Sequence, residues 1–199
     1  MRKSAVIIGA NGNLGSAIVQ RLQPEFQIDP RWLSDDRPDA TVSESYNSLP
    51  KTIDAAIYLA GINIVKKLEE MSYDEWRKVI DVNLNGLFLF AKAAYPGLRR
   101  AANEGSTPTL IGISSIMVTH PYPGRSAYAT AKAGIEGLIR ELAVEWGEAG
   151  IATHAIRLGH LAGLMKTTPP NPELLNQVSK HVPLGNLIQP KEVAEYVAY

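Results

Sequence analysis

Apolar residues along the chain fall into two recurring patterns. Short, near-continuous runs read as strands buried on both sides: Ala5–Gly9 (AVIIG), Ile53–Ala60 (IDAAIYLA), Thr109–Ser114 (TLIGIS) and Ala152–Arg157. Between them the apolar positions take helical spacing. Leu14, Ala17, Ile18 and Leu22 share one face of a helix over Leu14–Leu22. Ser72 opens the next, with Asp74 and Glu75 in the first turn, where the helix dipole favours negative charge. That helix, or a pair of helices, extends to about Arg100. A long helix runs from Ser126 to about Trp146 and is closed by Gly150. A short one is expected near Glu173–Lys180, and Pro190 opens the last. Phe26–Asp29 is a brief strand ended by Pro30, and 30–43 is polar and weakly patterned. Strands separated by helices predict an α/β fold with a parallel sheet covered on both faces. No linker, repeat or low-complexity tract interrupts the pattern, so 1–199 reads as one domain.

Composition narrows the chemistry. The chain has 199 residues, 45% of them hydrophobic, which is enough to build a core without a covalent or metal clip. It has no cysteine, so thiol catalysis and cysteine-ligated zinc are out. The four histidines (His120, His154, His160, His181) are scattered, without metal-ligand spacing, and no metal is expected. A formal net charge of +0 gives no electrostatic case for nucleic acid or an anionic membrane surface. No apolar run has the length of a bilayer span. The opening MRKSAVIIGA superficially looks like a secretory signal, but the apolar stretch is short and runs straight into GANGNLG. A first strand is the better reading, and a cytoplasmic location follows.

Chemistry concentrates at strand ends. The first strand enters Gly9-Ala10-Asn11-Gly12-Asn13-Leu14-Gly15 and then a helix. Glycines there permit a tight turn and close approach to a pyrophosphate, whose charge a helix N-terminus favours. Tyr128 and Lys132 are four apart on one helix and therefore neighbours on its surface. A nearby ammonium favours the phenolate, so Lys132 is expected to draw the Tyr128 pKa down toward working pH. Ser115 ends the TLIGISS strand, Ala60-Gly61 ends another, and Asn83 lies in DVNLNG on the following helix. In open α/β sheets ligands bind beyond such strand ends.

Taken together, the glycine turn, the strand-end LAG, the VNLNG asparagine and a serine thirteen residues before YxxxK resemble the short-chain dehydrogenase/reductase family. ISSIMVTHPYPGRSAYATAKAGIEGLIRELAVEWGEAGI is similar to its single-domain members, such as the 3-oxoacyl-acyl-carrier-protein reductases. PLGNLIQPKEVAEYVAY resembles their PLGRxxxPEEVAxxVxxL segment. The resemblance implies a Rossmann-like, doubly wound sheet and an NAD(P)-dependent oxidoreductase acting on a carbonyl or secondary alcohol. It implies Tyr128 as general acid/base, Lys132 as its partner and ribose ligand, Ser115 on the substrate oxygen, and Asn83 in a proton relay. Gly9, Asn11, Asn13 and Leu14 would line the dinucleotide, Asp39 would lie near the adenine, and Ala60 and Gly61 beneath the adenosine ribose. Gly159 follows the strand after the long helix and would also border the cofactor. Ile116, Met117, Leu161 and the Gly163–Pro183 segment would face the substrate. A homo-oligomer formed through 72–100 and 126–147 is implied as well.

The sequence departs from that pattern in several places. The glycine spacing is GxxGxxG, where single-domain members have TGxxxGxG, and NNAG is replaced by Tyr58-Leu59-Ala60-Gly61. Pro-Gly after the sixth strand becomes Leu158-Gly159. The stretch from Phe26 to Ile53 is too short for the usual helix, so the residue that selects NAD or NADP is ambiguous: Asp29 would bond a ribose 2′-hydroxyl, and Arg31 would suit a 2′-phosphate. The family's last strand has no counterpart before Tyr199, which predicts a C-terminally incomplete domain with an uncovered sheet edge: either a truncated form or an edge that an oligomer partner covers. These departures keep two alternatives open: a dinucleotide-binding sensor without turnover, and a sugar-nucleotide epimerase.

Overall fold

The computed structural model describes residues 2–34, 36, 38–163 and 182–198. Five strands, β1 (Lys3–Ile8), β2 (Phe26–Ile28), β3 (Ala55–Tyr58), β4 (Thr109–Ser115) and β5 (Ala152–Leu158), form one sheet. Its order is β2-β1-β3-β4-β5 and every pairing is parallel. The helices are α1 (Asn13–Leu22), α2 (Tyr73–Ile80), α3 (Gly86–Asn103), α4 (Ser126–Gly147) and α5 (Pro190–Ala198). The expected doubly wound architecture is therefore present.

The two faces of the sheet follow from strand alternation. Val6, Ile8, Ala56, Tyr58 and Leu110 point to one side and pack with Leu87, Phe90, Ala94 and Leu98 of α3 and with Ile135, Ile139 and Trp146 of α4. Ile7, Ile57, Ile111 and Ile113 point to the other, against Ile18, Val19 and Leu22 of α1 and Ala194 of α5. Helices α1 and α5 also join at the surface through Arg21 and Glu195, 2.7 Å apart.

Ser72 starts α2 as expected. Its side chain accepts from the Glu75 amide while the Glu75 carboxylate accepts from the Ser72 amide, a reciprocal capping box. The segment from 72 to 100 is a pair of helices, divided by a wide, π-type turn over Asp81–Asn85. No α-helix lies between β2 and β3 among the described residues; two 3-10 turns, Pro30–Trp32 and Ser43–Tyr46, stand in its place. They carry Trp32 and Tyr46, stacked at 5.5 Å, and Tyr46 continues to Phe90 at 5.7 Å. Aromatic side chains thus fill the face that the usual helix would cover. Among the described residues β5 is an edge of the sheet, with Ala152, His154, Ala155 and Arg157 exposed. The short helix expected near Glu173–Lys180 lies outside the described residues.

Candidate active site

The glycine turn joins β1 to α1. Gly9 has φ +86°, a left-handed conformation, and a Cβ there would sit 2.9 Å from the Ala60 nitrogen. A Cβ on Gly15 would overlap the Gly9 carbonyl and lie 2.6 Å from the Ala10 Cα. These glycines press the turn against the end of β3 and bring Ala60-Gly61 beside it. Among the described residues no side chain caps α1, and its first turn holds no acidic residue. Its leading amides and its positive dipole end are consequently suited to an anion, and the turn fits a dinucleotide pyrophosphate. The Asn13 side chain donates to the Gly163 carbonyl, tying this turn to the segment after β5.

Ser115, at the last rung of β4, and Tyr128, in the first turns of α4, bring their hydroxyls close enough that Ser115 favours the ionised phenol. Ser115 is buried and also accepts from the Met117 amide at 3.2 Å, which caps the turn carrying Ile116 and Met117. Lys132 lies one turn beyond Tyr128 and is 4% exposed. Its ammonium donates to the Ile113 carbonyl at 2.7 Å and stands 5.5 Å from the Tyr128 ring centroid. Asn83 is fully buried in the wide turn. Its amide donates to the carbonyls of Ile62 (2.9 Å) and Val79 (2.8 Å), while its Oδ1 has no hydrogen-bond partner among the described residues. A Cβ on Gly61 would come within 2.7 Å of that Oδ1 and 3.6 Å of the Lys132 Nζ. Asn83, Lys132 and the LAG strand end therefore converge, and the Ser115–Tyr128 pair adjoins them through α4.

The electrostatics correct one expectation. Tyr128 holds its proton more tightly than an ordinary tyrosine, not less. Burial dominates, and the Ser115 hydroxyl and the Arg125 charge only partly offset it. Lys132 does not draw the phenol down here because its ammonium is turned to the Ile113 carbonyl, over the ring rather than onto the hydroxyl. Lys132 itself is pushed down to about 8 by burial.

Other predicted positions fare differently. Asp29 and Arg31 bind each other. The Asp29 carboxylate accepts from the Arg31 amide (3.1 Å), Nε (3.1 Å) and Nη2 (2.5 Å), and Arg31 also donates to Ser48. Asp39 is exposed and accepts from the Thr41 amide and hydroxyl, both at 2.8 Å, which holds its carboxyl below the usual carboxylate value. Gly159 packs against Ile188. Leu161 is buried in a bridge to Ile188, so its side chain joins the core. Ile116 and Met117 are half-buried beside Ser115. Of the Gly163–Pro183 segment, 164–181 lie outside the described residues.

One partly buried network escaped the sequence reading. Ser114 donates to Glu136 at 2.6 Å, and Arg157 holds the same carboxylate through Nε (2.9 Å) and Nη2 (2.7 Å). Arg157 first, then Ser114, keeps the Glu136 carboxyl below its ordinary value. The signal was present: Glu136 is one helical turn after Lys132, and Arg157 pairs in register with Ser114. Among the described residues, no group of three or more histidine or acidic side chains is placed to hold a metal. No described helix is long and apolar enough to cross a membrane.

A parallel dinucleotide-binding sheet with serine, tyrosine, lysine and asparagine gathered beyond its strand ends defines a class of nicotinamide-dependent oxidoreductases. Residues 33–199 match the family model described as enoyl-(acyl carrier protein) reductase. The 3-oxoacyl-[acyl-carrier-protein] reductase of Chlamydia trachomatis is 33% identical over 95% of this chain and 76% of its own length. The human (3R)-3-hydroxyacyl-CoA dehydrogenase is 36% identical over 70% of this chain, a match that spans 52% of that enzyme. The solved aldohexose dehydrogenase of Thermoplasma acidophilum superposes with a TM-score of 0.85 at 25% identity, over 99% of this chain and 86% of that one. The chain belongs to the short-chain dehydrogenase/reductase family. Its class is that of NAD(P)-dependent oxidoreductases acting on carbonyl and hydroxyl groups.

Proposed function

We propose that this chain interconverts a carbonyl and a secondary alcohol, with Tyr128 as the proton donor and acceptor. The observation that carries the reading is the pairing of the Ser115 and Tyr128 hydroxyls with Lys132 one turn on, 5.5 Å from the Tyr128 ring centroid. When bound, the nicotinamide supplies or accepts the hydride. Ser115 and Tyr128 orient the substrate oxygen, and Tyr128 exchanges a proton with it. Burial keeps the phenol protonated at neutral pH, the form needed in the reductive direction, but also makes it a weaker acid, so a positive charge beside it is needed for the proton to leave. Lys132 leaves the Ile113 carbonyl to hold the nicotinamide ribose hydroxyls, and from there its charge favours the phenolate. Asn83 Oδ1, buried and without a partner among the described residues, accepts from the Lys132 side and extends a route for the proton. Gly9, Asn11, Asn13 and Leu14 follow the pyrophosphate, with Ala60 and Gly61 beneath the adenosine ribose, Asp39 toward the adenine and Gly159 at the nicotinamide end.

The substrate is a 3-oxoacyl or 3-hydroxyacyl thioester. Support comes from the names of the Chlamydia and human relatives and from the apolar Ile116 and Met117 beside Ser115. A cytoplasmic homo-oligomer completes the reading, joined through α3 and α4, where Phe88 and Val144 are exposed. Fluorescence titration with NADPH and NADH, followed by turnover of acetoacetyl-CoA against glucose, tests it. Saturable binding and preferential reduction of the thioester are expected. Binding without turnover of either compound would return the dinucleotide sensor, and preferential glucose oxidation would overturn the thioester assignment.

A further inference from the structure

We infer that the Tyr58 hydroxyl is a positioning group for the active site, acting through the wide turn that carries Asn83. Tyr58 is the last residue of β3 and is 1% exposed. Its ring leaves the sheet between α3 and the β2–β3 connection, 6.0 Å from the Phe90 ring, and its hydroxyl donates to the Val82 carbonyl at 2.6 Å. Val82 sits in the five-residue π-type turn, Asp81–Asn85, immediately before Asn83. A turn of this kind interrupts the regular helical hydrogen-bond ladder, and such turns persist where something else holds them. Here the holder is a side chain from the sheet.

The same short stretch of chain fixes Asn83 from its other side. Ile62 accepts from the Asn83 amide at 2.9 Å, and Gly61 leaves room for its Oδ1 next to Lys132. Residues 58–62 therefore grip Asn83 twice, by its backbone neighbour and by its side chain. Burial holds the Tyr58 phenol well above the usual tyrosine range, so it stays a donor at any pH the protein meets. An asparagine, as in NNAG, ends a ring's length short of Val82. The departure at this position is thus a specific contact rather than a neutral change in packing.

Gly86, the first residue of α3, is the complementary half. A Cβ there would overlap the Tyr58 hydroxyl and come within 2.9 Å of the Ala40 carbonyl. Glycine admits the phenol to the turn, and the two positions are coupled.

This inference rests on the proposed roles of Asn83 and Lys132, and its test separates the two. The variants are Tyr58→Phe, Gly86→Ala and the double change, each compared with the parent by three measurements. The first is amide hydrogen exchange over 81–86 together with the Asn83 side-chain amide resonances, in the cofactor-free protein. The second is NADPH affinity, and the third is kcat and KM for acetoacetyl-CoA. Tyr58→Phe is expected to speed exchange over 81–86 by roughly tenfold, move the Asn83 amide resonances, and lower kcat by roughly ten- to a hundredfold, while NADPH affinity stays within about twofold. Gly86→Ala should do the same alone, and add less in the double variant, where the hydroxyl it would strike is already gone. Unchanged exchange and resonances in Tyr58→Phe would overturn the inference whatever the activity. Altered exchange with unchanged kcat would overturn it too, leaving Tyr58 a purely structural contact. If Tyr128→Phe retained full turnover the active-site reading would fail by itself, and the exchange and resonance data would still decide whether Tyr58 holds Asn83.

Discussion

The two ends of the cofactor cleft are built differently. At the β4–α4 end, polar atoms do the positioning: Ser115 to Tyr128, Lys132 to Ile113, and Ser114 with Arg157 around Glu136. At the β2–β3 end, the connection is reduced to two 3-10 turns, and a run of rings (Trp32, Tyr46, Phe90, Tyr58) supplies the cohesion. Hydrogen bonds fix direction, and apolar packing fixes only shape and volume. A lost helix can therefore be replaced by rings, whereas the reacting groups need donors and acceptors in defined places.

That contrast can be broken at either end. The largest effect is expected from Tyr128→Phe, which should lower kcat by about 10²–10⁴-fold with NADPH affinity and stability little changed, read by steady-state kinetics and thermal unfolding. Trp32→Ala should do the opposite. It leaves the reacting groups in place but removes a ring that is 1% exposed, at about 3–5 kcal/mol of stability in denaturant titration.

Lys132→Met probes the polar end through pH. Folding lowers the Lys132 pKa from 10.5 to about 8, so between those values the unfolded chain binds more protons than the native one. Native stability contributed by this group therefore rises with pH across that window. The stability difference between parent and variant should move in the parent's favour by about 2–4 kcal/mol from pH 8 to pH 10.5. A flat difference would show that Lys132 titrates normally. The smallest effect belongs to Asp29→Asn, which releases the Arg31 guanidinium. NADPH should gain over NADH by about 1 kcal/mol or less, a few-fold in the ratio of dissociation constants.

Much of this was legible from residue order alone. Near-continuous apolar runs and helical spacing located the described β-strands and α-helices to within a few residues, because burial on both faces or on one stripe enforces those patterns. The Ser72 cap and the β1 glycine turn were visible because capping and positive φ demand particular residue types. Three features were not legible, and each depends on where a polar atom points. A pair of helices over 72–100 was one reading of the sequence, but helical spacing alone did not say that the division falls at Asp81–Asn85 as a wide turn carrying Asn83. The proximity of Lys132 to Tyr128 followed from spacing, but its preference for the Ile113 carbonyl depends on where β4 ends. Asp29 and Arg31 looked like rivals for a ribose, yet a single 3-10 turn folds one onto the other.

The parallel sheet also has a kinetic consequence. Its register joins Ala5 to Ala55, Ala55 to Thr109, and Thr109 to Ala152. Every pairing closes a long loop, and such topologies fold slowly because chain entropy is lost before the contacts that repay it form. Asn83 and the Tyr128–Lys132 helix lie within two of those crossovers, and Ser115 is the final β4 rung of the last pairing. Ser115, Tyr128 and Lys132 come together within the β4–α4 unit, whereas Asn83 joins them only when the β3–β4 crossover is also in place, so a molecule lacking that docking can hold much of its secondary structure without the complete set of reactive groups.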